Sequence, residues 1–346
     1  MTPFLEELLI AVIKIAVVVG ALLGAFSLMT WVERRTLAFM QYRLGPNRTG
    51  PFGILQPVAD GIKLFFKEEV MPAAADKWAF LAAPVVAVAT ALLATAVIPY
   101  GPPFEAFGRT VQILIADIEV GLLFIFAVTG LGVYALVLAG WASNSKYALL
   151  GGLRSSAQMF SYELALGFSW VTIILAAGSF RINAIVEDQA GWFWSWNVFG
   201  HFPAFVVYSM AATAEVARIP FDLPEGESEL VQGFHTEYAS MRFALIQMGE
   251  YINMITVAVL SANLFLGGWH PGIPGIPETL GGFPLGFVWW GAKVAAVLFV
   301  FIWLRGTLPR FRYDQLMDFG WKVLIPVIAV WVMLYAAGVV AWGGGS

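Results

Sequence analysis

The sequence predicts an all-α polytopic membrane protein, with about eight transmembrane helices and one interfacial amphipathic helix in the first inner loop. Three observations carry that reading. Hydrophobic residues make up 60% of the 346-residue chain and charged residues only 12%, with mean hydropathy +0.78. A soluble domain is roughly one-quarter charged, and one this apolar would expose large greasy patches. The apolar residues also come in long runs of the roughly 20 residues a helix needs to cross a bilayer. The strands of a membrane barrel would instead alternate over about ten residues. Finally, Lys and Arg collect in alternate loops.

In chain order the spans fall near 8–31, 79–98, 118–141, 158–178, 202–219, 242–266, 285–304 and 321–342, all within one membrane domain over 1–346. The fifth is the shortest. The first run has no basic leader and no small-residue cleavage site, so it reads as a retained span. The loop after span 1 carries Arg34, Arg35, Arg43, Arg48, Lys63, Lys67 and Lys77. The third loop has Lys146 and Arg154, the fifth Arg218 and Arg242, and the seventh Arg305, Arg310, Arg312 and Lys322. Odd-numbered loops thus hold 15 of the 19 cations, which predicts that they are cytoplasmic and that both termini lie on the outer, periplasmic side. Arg109 and Arg181 fall in even loops, and Lys14 and Lys293 within spans.

Between spans 1 and 2, Ile54, Leu55, Val58, Ile62, Phe65 and Phe66 share one helical face, while Asp60, Lys63 and Lys67 lie elsewhere. A helix near 53–67 is too short to span, so it is predicted to lie in the inner interface, with Pro57 tolerated in its first turn. Taken alone, a peripheral helix that seals the bundle is its simplest role. Segment 267–286 is rich in Gly and Pro and predicts irregular connection. Trp192, Trp194 and Trp196 suit an outer aromatic belt. The GGGS tail at 343–346 reads equally as native or as a cloning scar.

Several chemistries are excluded. The chain has no cysteine, so thiolate-held iron–sulfur clusters, Cys-ligated zinc and disulfides are out. His201, His235 and His270 are far apart in sequence, which argues against a His-rich metal site. A net charge of −4 offers nothing to nucleic acid. There is no nucleophile triad, P-loop or GxGxxG turn. Any redox carriers must sit on other subunits.

Carboxylates carry the positive signal. Asp222, Glu225, Glu227 and Glu229 crowd the fifth loop, on the side where cations dominate. Close carboxylates cannot all ionise cheaply, which suits proton donors and acceptors; a solvated acidic loop meeting a soluble partner fits the composition equally well. Glu163, Glu215 and Glu250 fall inside spans 4, 5 and 6, where a charge is costly and usually functional. They predict an inner-half proton or cation trail leading from the acidic loop, with Tyr134, Tyr162 and Tyr251 available to carry hydrogen bonds. Each has a plainer alternative. Glu215 and Arg218, three apart, can simply neutralise each other. Asp117 near span 3 reads as facing outer water. Lys14 can snorkel, and Lys293 can snorkel or pair with a Glu.

Four inner-loop strings go further. Glu33-Arg-Arg followed by Arg43-Leu-Gly-Pro-Asn-Arg-Thr-Gly-Pro-Phe-Gly-Ile-Leu-Gln-Pro-Val-Ala-Asp-Gly-Ile-Lys63 resembles the first inner loop of the NuoH-type membrane subunit of respiratory complex I, the proton-pumping NADH:quinone oxidoreductase. Trp141-Ala-Ser-Asn-Ser-Lys-Tyr-Ala-Leu-Leu-Gly151 with Ser161-Tyr-Glu163 is similar to its third loop, and Pro220-Phe-Asp-Leu-Pro-Glu-Gly-Glu-Ser-Glu-Leu230, continuing to Tyr238, to its fifth. Leu308-Pro-Arg-Phe-Arg-Tyr-Asp-Gln-Leu-Met317 is similar to its seventh. The likeness runs in order through every inner loop.

The resemblance implies a non-redox subunit of a proton-translocating oxidoreductase in a bacterial plasma membrane. The substrate is a quinone, ubiquinone or menaquinone, and neither FMN nor an iron–sulfur cluster belongs to this chain. The implied partners are the peripheral-arm quinone-site subunits (49 kDa-like and PSST-like), which dock on the first and fifth inner loops, neighbouring small and antiporter-like membrane subunits, and lipid. The first span, amphipathic helix and sixth span would frame the quinone's access opening. Glu33, Arg34, Arg43, Asp60, Phe221 and Phe234 would line the quinone chamber. Glu163, Glu215, Asp222, Glu225, Glu227, Glu229 and Glu250 would form the acidic proton route. Two positions depart from the family's usual pattern. Residues 214–218 read Ala-Glu-Val-Ala-Arg where Ala-Glu-Thr-Asn-Arg is common, and Glu119 stands where many members have an amide. A membrane-bound hydrogenase or formate hydrogenlyase anchor shares the expected fold and acidic loop, and a stand-alone ion-coupled transporter is a third possibility. The long first-loop and seventh-loop strings favour the quinone enzyme.

Overall fold

The computed structural model describes residues 3–106, 109–224, 226–276, 279–280 and 283–343. Among them, seven helices are long and apolar enough to cross a membrane. Helix α1 (Pro3–Met40) is followed by a 3-10 turn at Pro51–Gly53 and by α2 (Gln56–Phe66). Then come α3 (Lys77–Ala94), α4 (Gly121–Ala142) and α5 (Lys146–Ala177). Short α6 (Ile182–Asp188) and α7 (Asn197–Gly200) lead into α8 (Phe202–Glu215). Helix α9 (Glu227–Leu230) sits in the fifth loop, ahead of α10 (Ser240–Phe265) and α11 (Gly286–Thr307). The last span is α12 (Tyr313–Phe319) joined through a π-helical turn at Gly320–Leu324 to α13 (Ile325–Gly343). Two small hairpins decorate connections: β1 (Phe104–Ala106) pairs antiparallel with β2 (Arg109–Val111), and β3 (Thr279–Leu280) with β4 (Phe283–Pro284). The second gives order to part of the Gly- and Pro-rich segment that the sequence predicts as irregular.

The count differs from the expected eight at one place. Helix α8 has 14 residues, about 21 Å at 1.5 Å per residue, short of the roughly 30 Å hydrocarbon layer. The chain breaks at His201 before it and turns left-handed at Ala217 after it (φ 52°). Its side chains Ala204, Val207, Tyr208, Ala211 and Ala212 are buried against α5 and α10. Protein rather than lipid surrounds this short element. Helix α5 also begins earlier than its apolar run, because Ser155, Ser156 and Gln158 are buried polar residues on a helical face turned into the bundle.

The core lies among α4, α5, α8 and α10, around the fully buried Tyr162, Tyr208, Ile173 and Phe265. Small residues bring backbones together, as expected where lipid supplies no hydrophobic drive. A Cβ at Gly152 would stand 3.3 Å from the Gly140 Cα, and one at Gly249 would stand 3.2 Å from the Ala87 carbonyl oxygen. Gly151 has the same use for the fifth loop. A Cβ there would lie 2.6 Å from the Phe234 backbone nitrogen, so only glycine lets the loop settle on α5.

Helix α2 is turned inside out relative to a soluble amphipathic helix. Val58, Ile62, Phe65 and Phe66 are its exposed residues, while Asp60 faces inward to Arg34 of α1. Its far end is held by the Ser240 hydroxyl, which donates to the Leu64 and Lys67 carbonyls (2.8 and 2.9 Å). Such outward apolar display fits a helix lying in a lipid interface.

Candidate functional site

Two cavities share helix α10 as a wall. The first, of about 320 Å³, lies between α1, α2, α10 and the end of α11. The inner end of α1 brings Glu33 to its edge, and Glu33 is only 4% exposed. A buried carboxylate needs partners, and three converge on it. Arg305 at the end of α11 forms an ion pair with it. Arg218, just after α8, places a guanidinium nitrogen 3.7 Å away. The Tyr251 hydroxyl donates to its Oε2 at 2.6 Å. Arg218 also lies over the Tyr251 ring, 4.5 Å from the centroid, an arrangement that attracts a cation to the π face.

Across the cavity, Arg34 donates to Asp60 at 2.6 Å, with Gln56 and Lys63 each 3.3 Å from the same carboxylate. Partial burial alone would raise the Asp60 carboxyl; the Arg34 hydrogen bond and charge, with Gln56 and Lys63, outweigh it and hold it below its ordinary value. Gln232 and His235 from the fifth loop, with Gln247 and Phe243 of α10, complete the lining. The result is a polar, cation-rich compartment beside the out-turned apolar face of α2.

The second cavity is smaller, about 70 Å³, and sits among α3, α4, α5, α8 and α10. Glu163, Glu215 and Glu250, from three different helices, all line it, together with Thr90, Thr129 and Asn253. By volume it has room for several waters. Gly130 makes way for one carboxylate, since a Cβ there would be 2.8 Å from Glu163 Oε1.

The shared wall follows from helical geometry. Positions 247 and 251 are one turn apart on one side of α10 and meet the polar cavity. Positions 249, 250, 253 and 257 face the glutamate cavity. The end of α8 divides likewise: Glu215 turns to the glutamates and Arg218 to Glu33. These two residues therefore do not neutralise each other as their spacing allowed.

The remaining sequence-selected residues are placed as follows. Phe221 is buried, 5.6 Å from the Tyr162 ring and stacked at 5.6 Å on Phe311 of the seventh loop. Phe234 is 1% exposed and lines the glutamate cavity rather than the polar one. Arg43 is exposed and donates to Gln41. Asp222 pairs with Arg310 at 2.7 Å and Glu229 with Arg154 at 2.6 Å. In the fifth loop, then, these two carboxylates face separate cations on the seventh and third loops instead of crowding one another. Glu225 and the side chain of Glu227 lie outside the described residues. Of the three tyrosines, Tyr251 meets a carboxylate, Tyr162 donates to the Leu316 carbonyl, and Tyr134 is exposed.

On the outer side Asp117 pairs with Arg181, and Glu119 is exposed. Lys293 donates to the Gly268 and His270 carbonyls at 2.9 and 2.7 Å, over the Trp196 ring. Trp196 is thus drawn inward, while Trp192 and Trp194 stay exposed. Sequence reasoning missed Arg305 and Arg218 as partners of Glu33. The available signal was an acid and two cations all near predicted inner span ends.

Comparison with known proteins agrees over almost the whole chain. The family model described as NADH dehydrogenase matches residues 13–336. An NADH-quinone oxidoreductase H-type membrane component of Koribacter versatilis is 49% identical over 342 residues, covering 95% of this chain and 96% of the relative. Its counterpart in Geobacter metallireducens is 50% identical, with 96% and 98% covered. That of Syntrophotalea carbinolica is 48% identical, with 99% and 100% covered. Ordered inner-loop strings, a polytopic helical fold and full-length likeness converge, and the chain belongs to the NADH dehydrogenase family as the NuoH membrane component of the NADH-quinone oxidoreductase complex, complex I.

Proposed function

We propose that this chain forms the quinone access gate and chamber of the oxidoreductase and couples quinone reduction to proton translocation. The polar cavity between α1, α2 and α10 receives the quinone ring, and Arg34, Asp60, Arg218 and Arg305 surround it. Helix α2 lies in the cytoplasmic-side interface with its apolar face in lipid, so the gate opens laterally. Electrons come from peripheral-arm partners docked on the inner loops. Both termini are on the periplasmic side, as the distribution of cations supports.

The observation that carries the reading is the common wall. Reducing a quinone takes up protons and changes charge in the first cavity. One helix diameter away, Glu163, Glu215 and Glu250 line the second. Two unit charges about 10 Å apart interact by about 1.7 kcal/mol at an effective dielectric constant near 20, enough to shift a proton equilibrium roughly tenfold. The acidic loop, through Asp222, Glu225, Glu227 and Glu229, links the chamber to these glutamates, which hand protons on toward the antiporter-like subunits.

The test uses Glu163→Gln and Glu250→Gln in the assembled complex reconstituted in liposomes. Protons moved per electron should fall while the complex still assembles. Wild-type stoichiometry and turnover in both variants would refute the relay.

A further inference from the structure

A third cavity adjoins the polar one along the same three helices. It measures about 440 Å³, roughly three times the 150 Å³ that holds a benzene ring. Leu22 and Ala25 of α1, Val259 of α10, and Trp290, Gly291 and Val294 of α11 are among its almost wholly apolar walls. Helices α1 and α11 are sparsely buried, 11% and 17% over their most apolar windows, so their free faces are left to the bilayer. Space is kept open at Gly291, where a Cβ would meet nothing within 4 Å.

The two compartments run end to end. On α1, Ala25 and Met29 meet the apolar groove, whereas Phe26 and Thr30 meet the polar cavity. On α10 the change comes between Tyr251 and Ile255. The Phe26 and Tyr251 rings, 5.6 Å apart, stand at the junction. A ring-sized polar chamber joined to a long hydrocarbon slot matches an amphiphile with a polar ring and a linear run of isoprene units.

We propose that this groove between α1, α10 and α11 is a binding site for the isoprenoid tail of the quinone whose ring occupies the polar cavity. The inference rests on the chamber reading above. A phospholipid acyl chain shares the hydrocarbon chemistry, but the direct junction with a compartment sized for a ring favours the quinone.

Gly291→Phe and Ala21→Phe, one from each wall, fill the groove in the assembled complex, and each is assayed with a long-tailed and a nearly tail-less quinone. The KM for the long-tailed quinone should rise several-fold, with the short-tailed KM and both kcat values unchanged. Equal changes for both quinones, or none for either, overturn the tail site and leave the chamber standing. Loss of a co-purifying phospholipid without a KM change identifies an acyl chain as the occupant and equally overturns it. Arg305→Met reports on the chamber itself: wild-type kinetics with both quinones would remove that reading and the tail site with it. For variants that fail to assemble, a quinone carrying an azide at its tail end is photolysed on the wild-type complex. Labelling of α11 near Gly291 supports the site, and labelling only elsewhere overturns it.

Discussion

Replacing Glu33 by Gln removes one negative charge from between two guanidinium groups. Arg305 and Arg218 then face each other across a buried position with nothing to offset them. At 3.7 Å and an effective dielectric constant near 20, the lost Glu33–Arg218 attraction is about 4.5 kcal/mol gross. Relief of the carboxylate's own desolvation returns part of this. Arg305 is about one-third exposed (34%), so solvent screens its share. Breaking a buried pair by removing one partner costs about 3–5 kcal/mol, and a net loss of about 3 kcal/mol is expected here. The amide preserves size and can still accept from Tyr251, so the loss is chiefly electrostatic. If half of it appears in the organisation of the chamber, quinone turnover falls about tenfold, since about 1.4 kcal/mol is one decade. The assay is NADH:quinone turnover of the assembled complex, with a double-mutant cycle against Tyr251→Phe. A coupling of about 1 kcal/mol or more is expected for groups sharing a hydrogen bond. Turnover within twofold of wild type and additive effects in the cycle would refute the Glu33 hub.

Three further outcomes follow from the geometry. The Asp60 carboxyl is held below its ordinary value of 3.8, so its contribution to docking α2 is complete above that pH and disappears as pH falls through the lowered value; hydrogen exchange in α2 should accelerate below about pH 4 in the wild type, and Asp60→Asn should lose that pH dependence. Gly151→Ala drives a Cβ into the Phe234 and Gly233 backbone, which cannot swing aside, and should cost about 1–3 kcal/mol as overpacking; limited proteolysis should then cut the fifth loop faster, and an unchanged rate contradicts its docking on α5. Gly130→Ala meets only the end of the Glu163 side chain, so assembly should survive while proton stoichiometry drops, and unaltered stoichiometry argues against a fixed role for that carboxylate.

Much of the fold was legible because a span leaves a signal in its own residues. About twenty apolar positions read as a crossing helix whatever surrounds them, and the alternation of Lys and Arg divides the loops. Helix α8 was harder. Its residues are as apolar as a span, and only their burial by α5 and α10 allows 14 residues to suffice. The start of α5 was misplaced for the opposite reason, since Ser155, Ser156 and Gln158 look like loop composition but are buried; the Gln158 amide donates to the Ala214 and Phe221 carbonyls. Within the candidate site, Glu163, Glu215 and Glu250 stood out singly as charges at depth. The Glu33 hub did not, because its partners come from α8, α10 and α11, and pairings across 185 to 272 positions leave no local trace in one sequence.

The length of α1 sets a height. Its 38 residues extend about 57 Å, and a bilayer with its headgroups is about 40–45 Å thick. Glu33 is the thirty-first residue of that rod, about 45 Å from its start, at the level where hydrocarbon gives way to water. A lipid-soluble molecule that reaches this carboxylate has climbed to the ceiling of its own solvent. Each methylene carried past that boundary costs about 0.8 kcal/mol unless it finds other apolar surface. A carrier with a long chain therefore gains by raising only its reactive end, and a rung of this kind sorts molecules by where they keep their grease.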